Sequence, residues 1–347
     1  MTAEDIWPPR ERWVGIWLLV VCALVLVMIL VGGATRLTDS GLSITEWDLG
    51  KGLTPPLTAG RWAEEFALYQ RTMEYQTQNR GMSLGEFQYI YWWEWGHRFL
   101  GKVIGVVFAL PALIFYFTGR LRGRFRVTLT LFALGAAQGA IGWWMVTSGL
   151  FDRLDVSPVR LAIHLAMAFV ILALGLWVAL GALGWPRNPG RLGAPRWALF
   201  VLMALIFTQV MFGALLAGSD GGKAYADWPT IGGEWIPSSA FGLENWWANF
   251  TEDHATQHLL HRTTGYLVAL VSLIIGIASL AFGTGPARWA GAAVGGVALA
   301  QAALGIQTVL SVSPLGLSLL HQAGAAILWL LTIACAHVAV QIYRYSK

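Results

Sequence analysis

Charge is scarce in this chain. Only 12% of its 347 residues are Asp, Glu, Lys or Arg, against about 25% in a soluble domain. So few charges cannot cover a water-facing surface, which excludes a soluble globular protein. Cysteine is nearly absent too: Cys22 and Cys335 each lie within an apolar run. That excludes a disulfide framework and any cysteine-based metal centre, and leaves buried reduced thiols. No basic patch is interleaved with loop aromatics, so nucleic acid is excluded as a partner. The stretch from Met1 to Trp13 carries Glu4, Asp5 and Glu11 and no small-residue cleavage site. It is therefore expected to be neither a cleaved signal peptide nor an Arg-rich transit peptide.

What is abundant is apolar. Hydrophobic residues make up 56% of the chain and the mean hydropathy is +0.58, which predicts an all-α integral membrane protein in a lipid bilayer. Residues 13–35 carry no charge, enough for the about 20 residues that cross a bilayer core. Further spans are expected at about 87–118, 127–147, 159–183, 197–217 and 254–282. Residues 289–343 carry no charge at all, too long a run for one span, and Pro314 divides it into two. Arg288 is placed in the short turn before that run, and Arg36 at the end of the first span. Of the eight helices, 1–2, 3–4, 5–6 and 7–8 are joined through polar segments or turns, two of them long: 37–86, partly surface helix, and 218–253. The short turns after spans two and four are rich in arginine, including Arg120, Arg122, Arg124 and Arg126. By the positive-inside bias both termini are expected in the cytoplasm and the long loops outside it.

The eight spans echo one another in two sets of four. His97-Arg98 with Gly101 parallels His261-Arg262 with Gly265; Gln138 with Gly142 parallels Gln301 with Gly305; His164 parallels His321. An even number of spans per half gives parallel repeats about an axis along the membrane normal. The expected fold is two four-helix bundles, 1–185 and 186–347. All four paired histidines lie early in helices that begin on the same side, at similar depth. A single histidine in an apolar helix is most simply a packing residue, but four at matched depth point to ligation. Imidazoles facing each other across a bundle core suit haem with axial histidines: His97 with His164, and His261 with His321. The rival is zinc on His254, His258 and His261, which share a face, without a His-Glu-x-x-His signature. His337 stands outside the repeat and reads as a packing or surface residue.

One further stretch carries chemistry: Trp92-Trp93-Glu94-Trp95-Gly96-His97-Arg98. Glu94 and His97 are three apart and share a helix face, and ionisable groups in a span are costly enough to suggest function. The acid is not repeated, because His258 takes its place in the second half. Arg36, Arg98 and Arg262 lie near the membrane boundary, where they either pair bidentately with haem propionates or snorkel.

The chain resembles the haem A synthase family, called CtaA in bacteria. The resemblance covers nearly the whole chain. It rests on Gly32-Gly33-Ala34-Thr35-Arg36-Leu37-Thr38-Asp39-Ser40-Gly41-Leu42-Ser43 with Glu46-Trp47, on Glu94-x-x-His97-Arg98, and on Gln138 to Val146. It continues through Asp155 to His164, Gly213 to Gly218, Asp227-Trp228-Pro229, His261-Arg262 and Leu320-His321-Gln322. It implies oxidation of the C8 methyl of haem O to the formyl of haem A, for a terminal oxidase, in a bacterial inner membrane. It also implies Glu94 as the essential acid, His97 and His164 on the substrate haem, and His261 and His321 on a haem b. The Gram-positive type has a cysteine pair in the first loop. Here that loop has none, as in the proteobacterial and mitochondrial type, so a thiol relay there is excluded. Two alternatives use the same histidines without Glu94: a di-haem electron-transfer cytochrome and a haem-carrying oxidase assembly factor. No stretch identifies the electron acceptor, a contact with haem O synthase, or a homo-oligomer surface.

Overall fold

The computed structural model describes residues 11–46, 53–151, 154–185 and 190–345. The expectations that fall on Trp47 and on the chain ends, 1–10 and 346–347, lie outside the described residues. Among the described residues eight helices are long and apolar enough to cross a membrane: α1 Arg12–Leu37, α2 Leu84–Phe117, α3 Phe125–Phe151, α4 Pro158–Leu183, α5 Arg196–Gly218, α6 His254–Phe282, α7 Gly285–Leu310 and α8 Leu315–Tyr345. Among the described residues there is no β-structure beyond an isolated bridge between Ile231 and Glu234.

Two placements differ from expectation. Arg36 lies inside the last turn of α1 rather than ending it, and Arg288 lies inside α7, which already begins at Gly285-Pro286. α1 runs on because Arg36 pairs with Asp39 and Asp220, and α7 starts early because Pro286 in its first turn has a fixed helical φ and lacks only an N–H that would be unpaired there anyway. Elsewhere the ends are set by local chemistry. Ser83 and Glu86 form a capping box at the start of α2, and Asp253 caps α6 through the N–H groups of Ala255 and Thr256, each cap contributing about 1 kcal/mol. Between α1 and α2 the chain forms two short helices, Ala59–Tyr69 and Met73–Thr77, capped by Thr58 and Thr72. Their Trp62, Phe66, Tyr69 and Tyr75 pack with Phe87 and Tyr91 of α2, roofing that end of the bundle.

Contacts run around each set of four: α1–α2, α2–α3, α3–α4 and α4–α1, then α5–α6, α6–α7, α7–α8 and α8–α5. The two sets join through α4, α5, α8 and α1. Trp329 Nε1 donates to Phe169 O at 3.0 Å and Gln322 Nε2 to Ile29 O at 2.8 Å, polar ties that crosslink apolar helices. Pro111 lies within α2. Having no N–H, it leaves the carbonyl of Val107 without its helical donor, and Trp17 Nε1 of α1 takes that place at 2.8 Å.

Candidate haem-binding sites

Two pairs of imidazoles face each other between helices. His97 of α2 and His164 of α4 have ring centroids 6.5 Å apart, with planes at 60°. His261 of α6 and His321 of α8 are 6.3 Å apart at 74°. Every one of these rings lies on a glycine of a neighbouring helix. A Cβ at Gly32 would stand 3.0 Å from His97 Nε2; at Gly142, Gly213 and Gly305 it would stand 2.9, 2.9 and 2.8 Å from Cε1 of His164, His261 and His321. A side chain there would press on the ring, which explains glycines within four apolar spans, where glycine otherwise weakens a helix.

Glutamines hold three of the rings. Gln301 Nε2 donates to the carbonyl of His321 at 2.6 Å and lies 3.0 Å from its Nδ1. Gln138 Nε2 does the same at His164, 3.1 Å from the carbonyl and 3.3 Å from Nδ1. Gln209 of α5 lies 3.2 Å from His261 Nδ1 and is itself bonded to Thr264. Gln209 was not among the residues singled out in the sequence. Its signal was there: an amide in a span, one turn before the motif glycine Gly213.

Glu94 is 3% exposed, one turn before Arg98 on α2. Its Oε2 accepts from Ser43 Oγ and Ile44 N, both at 2.8 Å, and its Oε1 from Arg98 at 2.5 Å. Arg98 also donates to the carbonyls of Ile44 and Glu46. Arg262 of α6 builds a similar clamp with different chemistry. Arg262 reaches back one turn to Nδ1 of His258 at 3.2 Å and donates to the carbonyls of Asp227 and Thr230. The opposite nitrogen of His258 lies 2.8 Å from Gly221 O. Arg36 pairs with Asp220 at 2.6 Å and Asp39 at 2.8 Å, and donates to Gly218 O. Thus the three arginines draw the long segments down onto the helix ends near the imidazoles.

The residues present fit haem better than a bare metal. Two facing imidazoles without a third ligand make an axial pair, not a tetrahedral site. Gln138 Oε1 and Gln301 Oε1 are buried beside the rings without a hydrogen-bond partner among the described residues. The zinc alternative finds no support: His254 turns to Ser219 O and His258 to Gly221 O. Among the described residues no three His, Cys, Asp or Glu side chains converge as a metal cluster. Cys22 and Cys335 are buried free thiols, and His337 is buried against Trp177.

Fold and geometry together define a polytopic membrane protein with two internal histidine pairs, one of them beside a buried carboxylate. Residues 15–333 match the COX15-CtaA family, described as cytochrome oxidase assembly protein, and the chain belongs to that family. It is 48% identical over 340 residues to a haem A synthase of Maricaulis maris, covering 95% of this chain and 97% of that one. A haem A synthase of Parvibaculum lavamentivorans is 45% identical over 90% of both chains. That of Brucella suis is 44% identical over 94% of this chain and 91% of its own.

Proposed function

We propose that this protein is a haem A synthase, an oxidoreductase that converts the C8 methyl of haem O to the formyl group of haem A for terminal oxidase assembly. The observation that carries the reading is the asymmetry between the two histidine pairs in a chain of this family. Only His97 and His164 have a carboxylate, Glu94, one turn from a ligand, whereas the second pair has His258 at that place.

Written as the half-reaction R–CH3 + H2O → R–CHO + 4 H+ + 4 e−, with the four electrons leaving to an external acceptor, the oxidation needs a group to accept protons at the substrate edge. Glu94 supports that role: its carboxylate is fixed by three donors rather than free to rotate, as a general base must be. His97 and His164 hold the substrate haem in the first half, residues 1–185. His261 and His321 hold a haem b in the second half, 186–347, where such a group supplies one-electron transfer. The two halves are parallel repeats. Arg36, Arg98 and Arg262 keep the loops closed over the pairs and would supply cationic partners for haem propionates. The arginine-rich turns support an inner-membrane orientation with both termini cytoplasmic and both pairs toward the outer side, substrate being supplied by a haem O synthase.

The test is pigment extraction and mass analysis of protein made in cells that also make haem O. Haem A together with haem b, and haem O accumulating in Glu94→Gln, is the expected result. Haem b alone, whatever haem O is supplied, would leave an electron-transfer cytochrome as the better reading.

A further inference from the structure

The two halves differ most where their second and third helices meet. Of all chain-adjacent spans, α6 and α7 have the most extensive contact and α2 and α3 the least. Aligning the halves on His97 with His261 and on Gln138 with Gln301 shows why. Gly276 and Gly295 are buried and meet backbone to backbone, so that a Cβ on Gly276 would lie 3.2 Å from Gly295 Cα. Small residues at such positions let membrane helices touch. Their counterparts are Ala112 and Phe132, and Phe108 stands where the second half has Ser272. Phe108 stacks on Phe132 with centroids 6.4 Å apart, a wedge that holds α2 and α3 apart.

Toward the histidines from that wedge, the first half has Gly105, Gly135 and Gly139, all exposed and with no atom within 4 Å of a built Cβ. In the second half Ala298, the counterpart of Gly135, is 3% exposed, and Ala269 and Ala302, the counterparts of Gly105 and Gly139, are half-buried. These glycines and the exposed Phe132 lie along the α2–α3 seam, with Phe108 buried behind Phe132, on the two helices that carry His97 and Gln138. A second difference is independent of the seam. Aligned on the seat glycines Gly213 and Gly32, Gln209, which ties His261, corresponds to Met28, and on His261 and His97 its partner Thr264 corresponds to Leu100; neither replacement can donate a hydrogen bond to an imidazole.

The geometry points to the α2–α3 seam as a lateral portal, through which an isoprenoid-bearing tetrapyrrole passes between the bilayer and the His97–His164 pair, its tail lying between Phe132 and Gly139. The closed α6–α7 contact retains the group bound by His261 and His321. This rests on the proposed reading that His97 and His164 bind haem O. A turnover site must exchange its ligand and a resident cofactor must not, and the two seams differ in that sense.

The test uses the full protein in phosphatidylcholine vesicles, with haem O delivered from donor vesicles and uptake followed by absorbance. Gly105→Leu/Gly139→Leu puts bulk into the seam at positions where an added Cβ has no atom within 4 Å. It should slow uptake about tenfold or more, as blocking a gate does, with haem b content unchanged. Should the double variant not accumulate, Gly139→Leu alone carries the same expectation. Wild-type uptake that is the same in His97→Ala means that the pair does not bind haem O, and the functional reading falls. Uptake that depends on His97 yet is as fast in the filled variants as in wild type overturns the portal alone.

Discussion

Arg98 reaches back one helical turn to donate to Oε1 of Glu94 at 2.5 Å, with the arginine side chain 17% and the glutamate side chain 4% exposed. The same guanidinium holds the carbonyls of Ile44 and Glu46, so one residue both orients the acid and closes the first loop over it. Arg98→Gln is expected to lower haem A yield by about 10²-fold, the scale of a misplaced general base. Haem O would still bind. Ser43→Ala removes only one of the three donors and should cost less. Equal yields from both variants and wild type, by mass analysis of extracted pigment, would show that the orientation of Glu94 is immaterial.

The glycine seats give a half-selective prediction. Gly305→Ala places a Cβ 2.8 Å from His321 Cε1, and Gly142→Ala places one 2.9 Å from His164 Cε1. Overpacking of this kind costs about 1–3 kcal/mol, enough to turn a ring off its axis. Gly305→Ala should therefore lose haem b while haem O uptake persists, and Gly142→Ala the reverse. Haem spectra of the two purified variants decide it; a loss of both haems from each would mean the seats support the whole bundle rather than one pair.

Trp17 and Pro111 form a pair that can be tested by rescue. Trp17→Phe leaves the Val107 carbonyl without a donor, at a cost of about 1–3 kcal/mol for a buried acceptor. Pro111→Ala supplies the missing helical N–H. The double variant should be more stable to thermal unfolding than Trp17→Phe alone. Additive losses would show that the indole contributes packing only.

Much of this architecture can be read without coordinates, and the parts that cannot have physical reasons. The eight spans are visible because a bilayer demands about 20 apolar residues per crossing, and the histidines because polar groups are rare within such runs. The last turn of α1 is invisible in that pattern, since Arg36 looks like a stop until Asp39 and Asp220 are seen to pair with it. The partners of Glu94 were equally hidden. Ser43 and Ile44 come from a loop 50 residues away, and nothing in periodicity places a loop N–H on a helix carboxylate. The stacking of Phe108 on Phe132 is hidden likewise, since the apolar pattern of a span does not tell which residues meet a neighbouring helix.

Glu74 makes stability depend on pH at the loop end. It lies in the short helix Met73–Thr77, 3% exposed. Burial first, and then the negative charge of Asp155, pushes its carboxyl from an ordinary 4.5 up to about 8, with Glu94 and Asp39 adding to the rise against a lowering hydrogen bond from Tyr69. The folded protein therefore binds a proton here that the unfolded chain has lost between pH 4.5 and 8. Across that window the unfolded state binds fewer protons, so stability falls as pH rises. The contribution is full below 4.5 and gone above about 8. Glu74→Gln stays neutral throughout, so its thermal unfolding temperature should fall less than that of wild type between pH 5 and 9, with the largest difference at the alkaline end. Parallel curves for the two proteins would mean that Glu74 is already charged in the folded state and that its neighbours, not its protonation, hold the short helix in place.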